Sequence, residues 1–365
     1  MVLPNMQLDL GLSTTQIGLI GSANFLGYLF GLFFTGRFYA KLGPAALIKR
    51  SLLTQSFCML IMATSSSYLI ASLVFCIAGF FGAMSNMAVM TYITQIVPKD
   101  IKGKATGIVV MGIGLSIIFS GMIVPLFDRF YNEISWRISW LCFALLIFVI
   151  SFIIKKGLSF PLHVKVSTQA QSYSQKDIFS NHKFLQVSSI YLLFGVTYVI
   201  YMTFFVLAVE VKWQVSTEIS GIFWTLLGIA SVISSPLLGA IADKIGSYKT
   251  LSLIFFIQII AHSILIFDSP ITLVWISALL FGLSAWGVPT IMALLSSELF
   301  GASHTARILS FVTIFFAIGQ IVGPVGGGYI VDAFEDFSHV FLLSSLLALF
   351  AFFLASWVDK SQKKI

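Results

Sequence analysis

Long apolar runs separated by short polar stretches divide this chain almost from end to end. Five come first: Gln16 to Phe38, Ala45 to Ser65, Tyr68 to Val97, Lys104 to Phe127 and Trp136 to Ile154. Six follow: Lys183 to Val209, Glu218 to Ala242, Tyr248 to Phe267, Ile271 to Phe300, Thr305 to Phe334 and His339 to Val358. Each is close to the roughly 20 residues that carry an α-helix across a bilayer. The runs are continuous, whereas the strands of an outer-membrane barrel alternate apolar with polar positions. The pattern therefore predicts eleven membrane helices. A polar segment with Lys155, Lys156, Lys165 and Lys176 separates the first five from the last six. The expected organisation is an N-terminal half over residues 1–154, a linker over 155–183 and a C-terminal half over 184–365.

Composition agrees with the pattern. The chain has 365 residues, 58% hydrophobic and only 10% charged, against about 25% charged in soluble domains. No soluble fold of this length could hide so much apolar surface. The fold class is all-α polytopic membrane protein. Cys58, Cys76 and Cys142 each lie inside an apolar run. Odd in number and without a CxxC, they are small apolar packing residues and not a disulfide framework. The formal net charge of +7 belongs to the loops and implies no nucleic-acid partner. Of the 21 Lys and Arg, all but Arg129, Arg137 and Lys212 fall on one side of the predicted membrane. The positive-inside rule makes that side cytoplasmic. It puts the linker and the C-terminus inside and Met1, after an odd number of spans, outside.

Two turns repeat. Gly239-Ala-Ile-Ala-Asp243-Lys244-Ile-Gly246 follows one apolar run, and Gly36-Arg-Phe-Tyr-Ala40-Lys41-Leu-Gly43 follows its counterpart earlier in the chain. The same offset relates Ser13-Thr14-Thr15-Gln16 to Ser216-Thr217-Glu218-Ile219, and nearly the same offset relates Phe81-Gly82 to Phe281-Gly282. Parallel repeats of this kind mark a duplicated transporter fold. Under that offset Met1 faces Phe204, deep in the span Lys183 to Val209. The first half therefore lacks the counterpart of that span, and Met1 to Gln7 are expected to be the outer tail of a missing first helix. A true eleven-helix protein is the alternative.

Two six-helix halves joined by a cytoplasmic linker, with G-x-x-x-D-[RK]-x-G at Gly239, Asp243, Lys244 and Gly246, resemble the major facilitator superfamily over nearly the whole chain. The first-half copy, Gly36, Lys41 and Gly43, is degenerate, with Ala40 where the acid belongs. Ala23-Asn24-Phe25-Leu26-Gly27-Tyr28-Leu29-Phe30-Gly31, Tyr191 to Tyr198 with Thr203-Phe204, and Ala285-Trp286-Gly287-Val288-Pro289 are similar to the YbfB-like branch of that superfamily.

The resemblance implies a set of roles. Asp243 would accept from free N–H groups at a neighbouring helix N-terminus, forming a cytoplasmic latch with Lys244, Glu298 and Arg307. Solvated loop charges are the plainer reading. Substrate-cavity candidates are Ser85 and Asn86 in the third span, Tyr198, Tyr201 and Thr203 in the sixth, and Trp286 in the ninth. A polar side chain within the bilayer needs a partner, so each could instead bond between helices. Asn24, beside Gly27 and Gly31, is expected to pack between helices. Pro289 should kink its helix. Gly319, Gly323, Pro324 and Gly326 form a bendable segment, either a hinge or a close packing seam.

Proton coupling would need a titratable group with access to the cavity. No Asp, Glu, Lys or Arg falls mid-span. Glu210 sits at the outer end of its helix, and His262 is expected at the periphery as an inter-helix bond. Among enzyme signatures, no Walker loop, HExxH or Ser/His/Asp set occurs, and no cofactor is implied. The resemblance implies a secondary carrier in the cell membrane, acting as a monomer on a small, weakly polar organic solute. The alternative is a decayed or sensing relative that no longer transports.

Overall fold

The computed structural model of the protein describes residues 1–98, 102–157, 179–300 and 305–362. Most of the expected linker lies outside them. Among the described residues the chain is helical, with no strand. After α1 (Leu3–Leu10) come α2 (Thr14–Leu42), α3 (Pro44–Thr64), α4 (Tyr68–Ile96), α5 (Lys102–Tyr131) and α6 (Ser135–Gly157). Then follow α7 (His182–Trp213), α8 (Thr217–Ile245), α9 (Ser247–Ile264), α10 (Ile271–Ala285), α11 (Gly287–Phe300), α12 (Thr305–Phe334) and α13 (Ser338–Gln362). The eleven expected spans correspond to α2–α13, with α10 and α11 sharing one. Ten continuous stretches among the described residues are long and apolar enough to cross a bilayer, and one of them, Ile108–Ile154, is 47 residues long and holds both α5 and α6. Helices are what such runs must form, because a bilayer offers no water to backbone N–H and C=O groups. Many large apolar side chains, including Phe33, Leu73, Phe353 and Trp357, point outward, where lipid covers them.

The repeat seen in the sequence has a backbone counterpart. Gly43 is at once the C-cap of α2 and the N-cap of α3, with φ +72° and ψ 165°. Gly246 does the same between α8 and α9, with φ +90° and ψ 154°. Each glycine N–H returns to a carbonyl of the finished helix, Tyr39 or Ala242. A single residue reverses the chain, and its positive φ is why it must be glycine. The entries to α2 and α8 match as well: Ser13 and Ser216 share φ −70°, with ψ 160° and 159°. Ser13 completes a capping box with Gln16, whereas Ser216 makes no side-chain cap.

The described chain clusters into two compact units. The first comprises Met1–Gly112 and Ile123–Ser167, and the second Ile113–Met122 and Thr168–Ile365. In the first, α2 and α4 touch backbone to backbone: a Cβ at Gly27 or Gly31 would strike the carbonyl of Cys76 or Phe80. Asn24 donates to the carbonyl of Phe75 across this seam at 3.0 Å. Such small-residue contacts suit membranes, where apolar burial alone does not bring helices together. Antiparallel α3 and α6 are pinned mid-length by Ser56 Oγ donating to the Ala144 carbonyl at 2.7 Å. In the second unit α9 and α13 are joined by serine pairs, Ser263–Ser345 at 2.9 Å and Ser252–Ser356 at 3.2 Å.

Candidate functional site

The span expected as one kinked helix is interrupted. α10 ends at Ala285, Trp286 makes a turn, and α11 begins at Gly287 with Pro289 third. Proline has no N–H to give the carbonyl four residues back, which here is Ala285. At the next residue the neighbouring helix contributes a bond: Ser235 of α8 donates to the Trp286 carbonyl at 2.6 Å and lies 3.1 Å from the Thr290 hydroxyl. Gly287 admits the Leu238 side chain, which a Cβ would strike. Proline identity predicts weakened bonding, but not the bond from Ser235, which sits in another helix.

Aromatic side chains gather at the break. Tyr198 of α7 meets Trp286 edge-on at 5.8 Å and stacks with Phe281 at 6.2 Å. Tyr191 and Phe194 stack on Phe316 of α12 at 4.5 and 5.5 Å. Tyr198 is half-buried and Trp286 buried. The structure thus brings Tyr198 and Trp286 together. Thr203 is half-buried five residues beyond Tyr198 on α7, about 1.4 turns further along. Tyr201 differs from the other candidates: it is fully enclosed, stacked on Phe281 at 3.7 Å, with its hydroxyl 2.8 Å from Ser277 Oγ. Ser277 passes its own proton to the Ala261 carbonyl at 2.7 Å. Tyr201 therefore fastens α7 to α10 inside the unit, and its hydroxyl is already spent.

In the first unit Ser85 accepts from Gln55 of α3 at 3.1 Å and donates to the Gly82 carbonyl at 3.0 Å. Asn86 is exposed and donates to the Tyr28 hydroxyl at 2.9 Å. Tyr28 and Gln55 are absent from the sequence candidates. Tyr28 sits one residue after Gly27 in the motif quoted for α2, so its position was visible, but its role depended on α4 lying close enough to bring Asn86 to it.

His262 is not peripheral. It is fully buried, with Nδ1 2.7 Å from the Gln258 carbonyl and Nε2 3.3 Å from the Thr197 carbonyl of α7. Tyr201 meets it edge-on at 5.3 Å and Phe281 at 5.8 Å. Both ring nitrogens face acceptors, and a neutral imidazole has one N–H to offer them.

At the turn motif, Asp243 and Lys244 are exposed, and among the described residues neither makes an ion pair or side-chain hydrogen bond. Glu298 accepts instead from the Ser247 hydroxyl at 2.5 Å, at the start of α9. The Arg307 side chain lies outside the described residues. Gly36 and Gly239 have open space or ordinary contact at the Cβ position, and Lys41 is exposed. On α12 a Cβ at Gly319 would strike the Leu192 carbonyl, and one at Gly323 would lie 2.9 Å from the Val196 carbonyl, while Gly326 is open. Gly195 of α7 presses equally on α12, at the Phe316 carbonyl. Pro324 lies inside the continuous helix α12. Among the described residues no cluster of His, Cys, Asp and Glu could hold a metal ion.

Comparison with known proteins gives three kinds of match. A family model described as "Uncharacterised MFS-type transporter YbfB" matches residues 1–356. The chain is 28% identical to the multi-drug resistance efflux pump PmrA of Streptococcus pneumoniae over 134 residues, 36% of this chain and 33% of that protein. It is 23% identical to the putative niacin/nicotinamide transporter NiaP of Bacillus subtilis over 184 residues, 50% of this chain and 46% of that protein. These matches thus span between a third and a half of the curated relatives' length. Among solved structures, a bacterial homologue of the human lysosomal transporter Spinster aligns with TM-score 0.80 at 15% identity, covering 98% of this chain and 92% of that one. The nucleoside transporter NupG aligns with TM-score 0.80 at 14% identity, covering 98% and 93%. At such identities the likeness is one of fold.

Proposed function

The chain belongs to the YbfB-like family of major facilitator superfamily transporters, a family of multi-pass membrane proteins, and on that premise we propose that it is a secondary carrier moving a small organic solute by alternating access. The observation that carries the reading is the helix interrupted at Trp286, with Tyr198 against it. Discontinuous membrane helices recur at solute sites, and with the Trp286 carbonyl already bonded by Ser235 the contacts offered here are those of side chains. An aromatic edge and a half-buried tyrosine suit a flat, weakly polar ring. The compounds after which NiaP and the fold neighbour NupG are named, niacin or nicotinamide and nucleosides, have that character. Ser85, Asn86 and Thr203 are the further polar candidates. Tyr28 joins them through Asn86.

The orientation we propose follows the basic loops, with the C-terminus in the cytoplasm of a cell-membrane protein acting as a monomer. Proton coupling is the reading to test first for energisation. No Asp, Glu, Lys or Arg lies mid-span among the described residues, so a coupled proton would bind His262 or a group nearer the helix ends.

The experiment is uptake of labelled nicotinamide, nicotinate and uridine into proteoliposomes, with and without an imposed pH gradient. Accumulation of one of them that depends on the gradient supports a coupled carrier. Accumulation without gradient dependence supports a facilitator. Trp286→Ala should cut the rate at least tenfold, and Trp286→Phe should keep most of it. No accumulation of these or of a drug-like cation panel favours a protein that no longer transports.

A further inference from the structure

We propose that the seam between α3 and α6 binds an anionic phospholipid, with one acyl chain in an apolar groove and the headgroup at Lys49. The groove is an apolar cavity of about 590 Å³. Leu53, Phe57 and Leu60 form one wall, and Leu141, Leu145 and Phe148 the other. Its floor is the Ser56–Ala144 hydrogen bond, where two small residues let the backbones meet while the larger neighbours stand apart. Phe57, Leu60, Leu141, Leu145 and Phe148 are all exposed. In a membrane protein such a surface meets lipid tails, so the question is which lipid stays.

The ends of the groove answer it. The register of α3 and α6 is fixed by three contacts along their length. At one end Arg137 donates to the carbonyls of Ala63 and Ser65 at 3.1 and 3.0 Å, and its charge is paired with Asp9 at 3.1 Å. That end has its anion. At the other end Lys49 Nζ lies 5.0 Å from the centre of the Phe152 ring, reaching across the seam. Lys49 makes no ion pair among the described residues. No Asp or Glu occurs anywhere in α2, α3, α4 or α6, so nothing on the helices around it can neutralise it. Arg50 follows Lys49, and Lys155 and Lys156 follow Phe152 in the last turn of α6.

The distances suit a lipid. Phe57 is eight residues along α3 from Lys49, about 12 Å at 1.5 Å per residue. Half of the hydrocarbon core is about 15 Å deep. A phosphate at the level of Lys49 therefore puts its own acyl chain alongside Phe57 and Leu145, in the same leaflet. The ammonium on the aromatic face keeps hydrogens free for phosphate oxygens. A free phosphate would meet only the cation, so the groove selects the lipid.

The test is thermal unfolding and native mass spectrometry of the detergent-purified full chain with added phosphatidylglycerol or phosphatidylcholine of identical acyl chains. Phosphatidylglycerol should raise the melting temperature more and remain bound in the spectrum. One basic contact near the membrane surface corresponds to about fivefold in affinity. Lys49→Gln should remove that preference and leave the phosphatidylcholine response unchanged. Leu145→Trp, at an exposed position, should fill the groove and weaken both lipids. Lys41→Gln is the control for general surface charge and should preserve the preference. Glycerol 3-phosphate, a headgroup without chains, should give no shift. Equal responses to the two lipids, or a preference that survives Lys49→Gln, would overturn the proposal.

Discussion

Lys212 shows how much one side chain can hold at the end of a membrane helix. α9 stops at Ile264, leaving carbonyls without donors. Lys212, at the end of α7, donates to the carbonyls of Leu265 and Ile266 at 3.3 and 2.7 Å and to Ser338 Oγ at 2.8 Å. It also pairs with Asp268 at 3.4 Å. Arg137 does the same for α3 in the first unit, at Ala63 and Ser65. These are two of the three bases that the charge pattern set apart from the basic loops. The sequence located them but could not say what they bind, because the carbonyls they serve are 53 to 74 residues distant. Lys212→Met should cost about 1–2 kcal/mol, the range for a cation at a partly buried helix C-terminus, seen as a lower melting temperature in detergent. Asp336 beside it gives a pH signature. Burial pushes its carboxyl up, but hydrogen bonds from Ser338 and the charges of Lys212 and His339 outweigh that and hold it below the ordinary value of 3.8. A carboxyl depressed in the folded state stabilises above its unfolded pKa, and that stabilisation is lost as pH falls through the folded pKa. The gap in melting temperature between the native protein and Asp336→Asn should therefore persist at pH 6 and narrow below about pH 4.

Among whole elements, the glycines of α12 separate packing from bending. Gly319 and Gly323 lie against α7 at the Leu192 and Val196 carbonyls, whereas Gly326 faces open space. The spacing was legible in the sequence, where it fits a hinge as well as a close packing seam. Which glycines touch could not be read, because that depends on the rotation of α7 against α12. Gly319→Leu should prevent the close approach and cost several kcal/mol, within the range for overpacking and beyond, with loss of folded protein on size-exclusion chromatography. Gly326→Ala should leave stability within about 1 kcal/mol, since alanine is the better helix former. If α12 bends at this segment during transport, Gly326→Ala should still slow uptake. A stable protein with normal uptake would remove Gly326 from the hinge. The break at Trp286 teaches the same lesson. Pro289 announced a weakened helix in the sequence, but the bond to the Trp286 carbonyl comes from Ser235 on α8, which local pattern cannot supply.

Over the whole molecule, the two units repeat each other in backbone and differ in chemistry. Gly43 and Gly246 make the same one-residue turn, so the geometry of the motif survives in both copies. The acid survives in one: Asp243 stands where the first copy has Ala40. Hydropathy, repeat spacing and turn glycines made the fold legible, since each is written locally and enforced by the bilayer. The candidate site was legible only in part: residue types showed where polar groups enter the membrane, but their partners came from packing. If the turn glycines alone mattered, replacing either acid position would have little effect. If the carboxylate closes a gate by bonding a neighbouring helix N-terminus, its charge is what counts, because an ionised acceptor bonds about twice as strongly as a neutral one. Asp243→Asn keeps the shape and removes the charge, and should slow uptake into proteoliposomes about tenfold, the equivalent of losing one charge-assisted hydrogen bond. Ala40→Ser, a change of similar size at the degenerate copy, should leave uptake within twofold. Glu298→Gln tests the second unit separately, because Glu298 binds Ser247 at the base of α9 and not Asp243. A loss as large as that of Asp243→Asn would place both acids in one gate. Equal, small effects at Asp243 and Ala40 would leave the motif as a turn and nothing more.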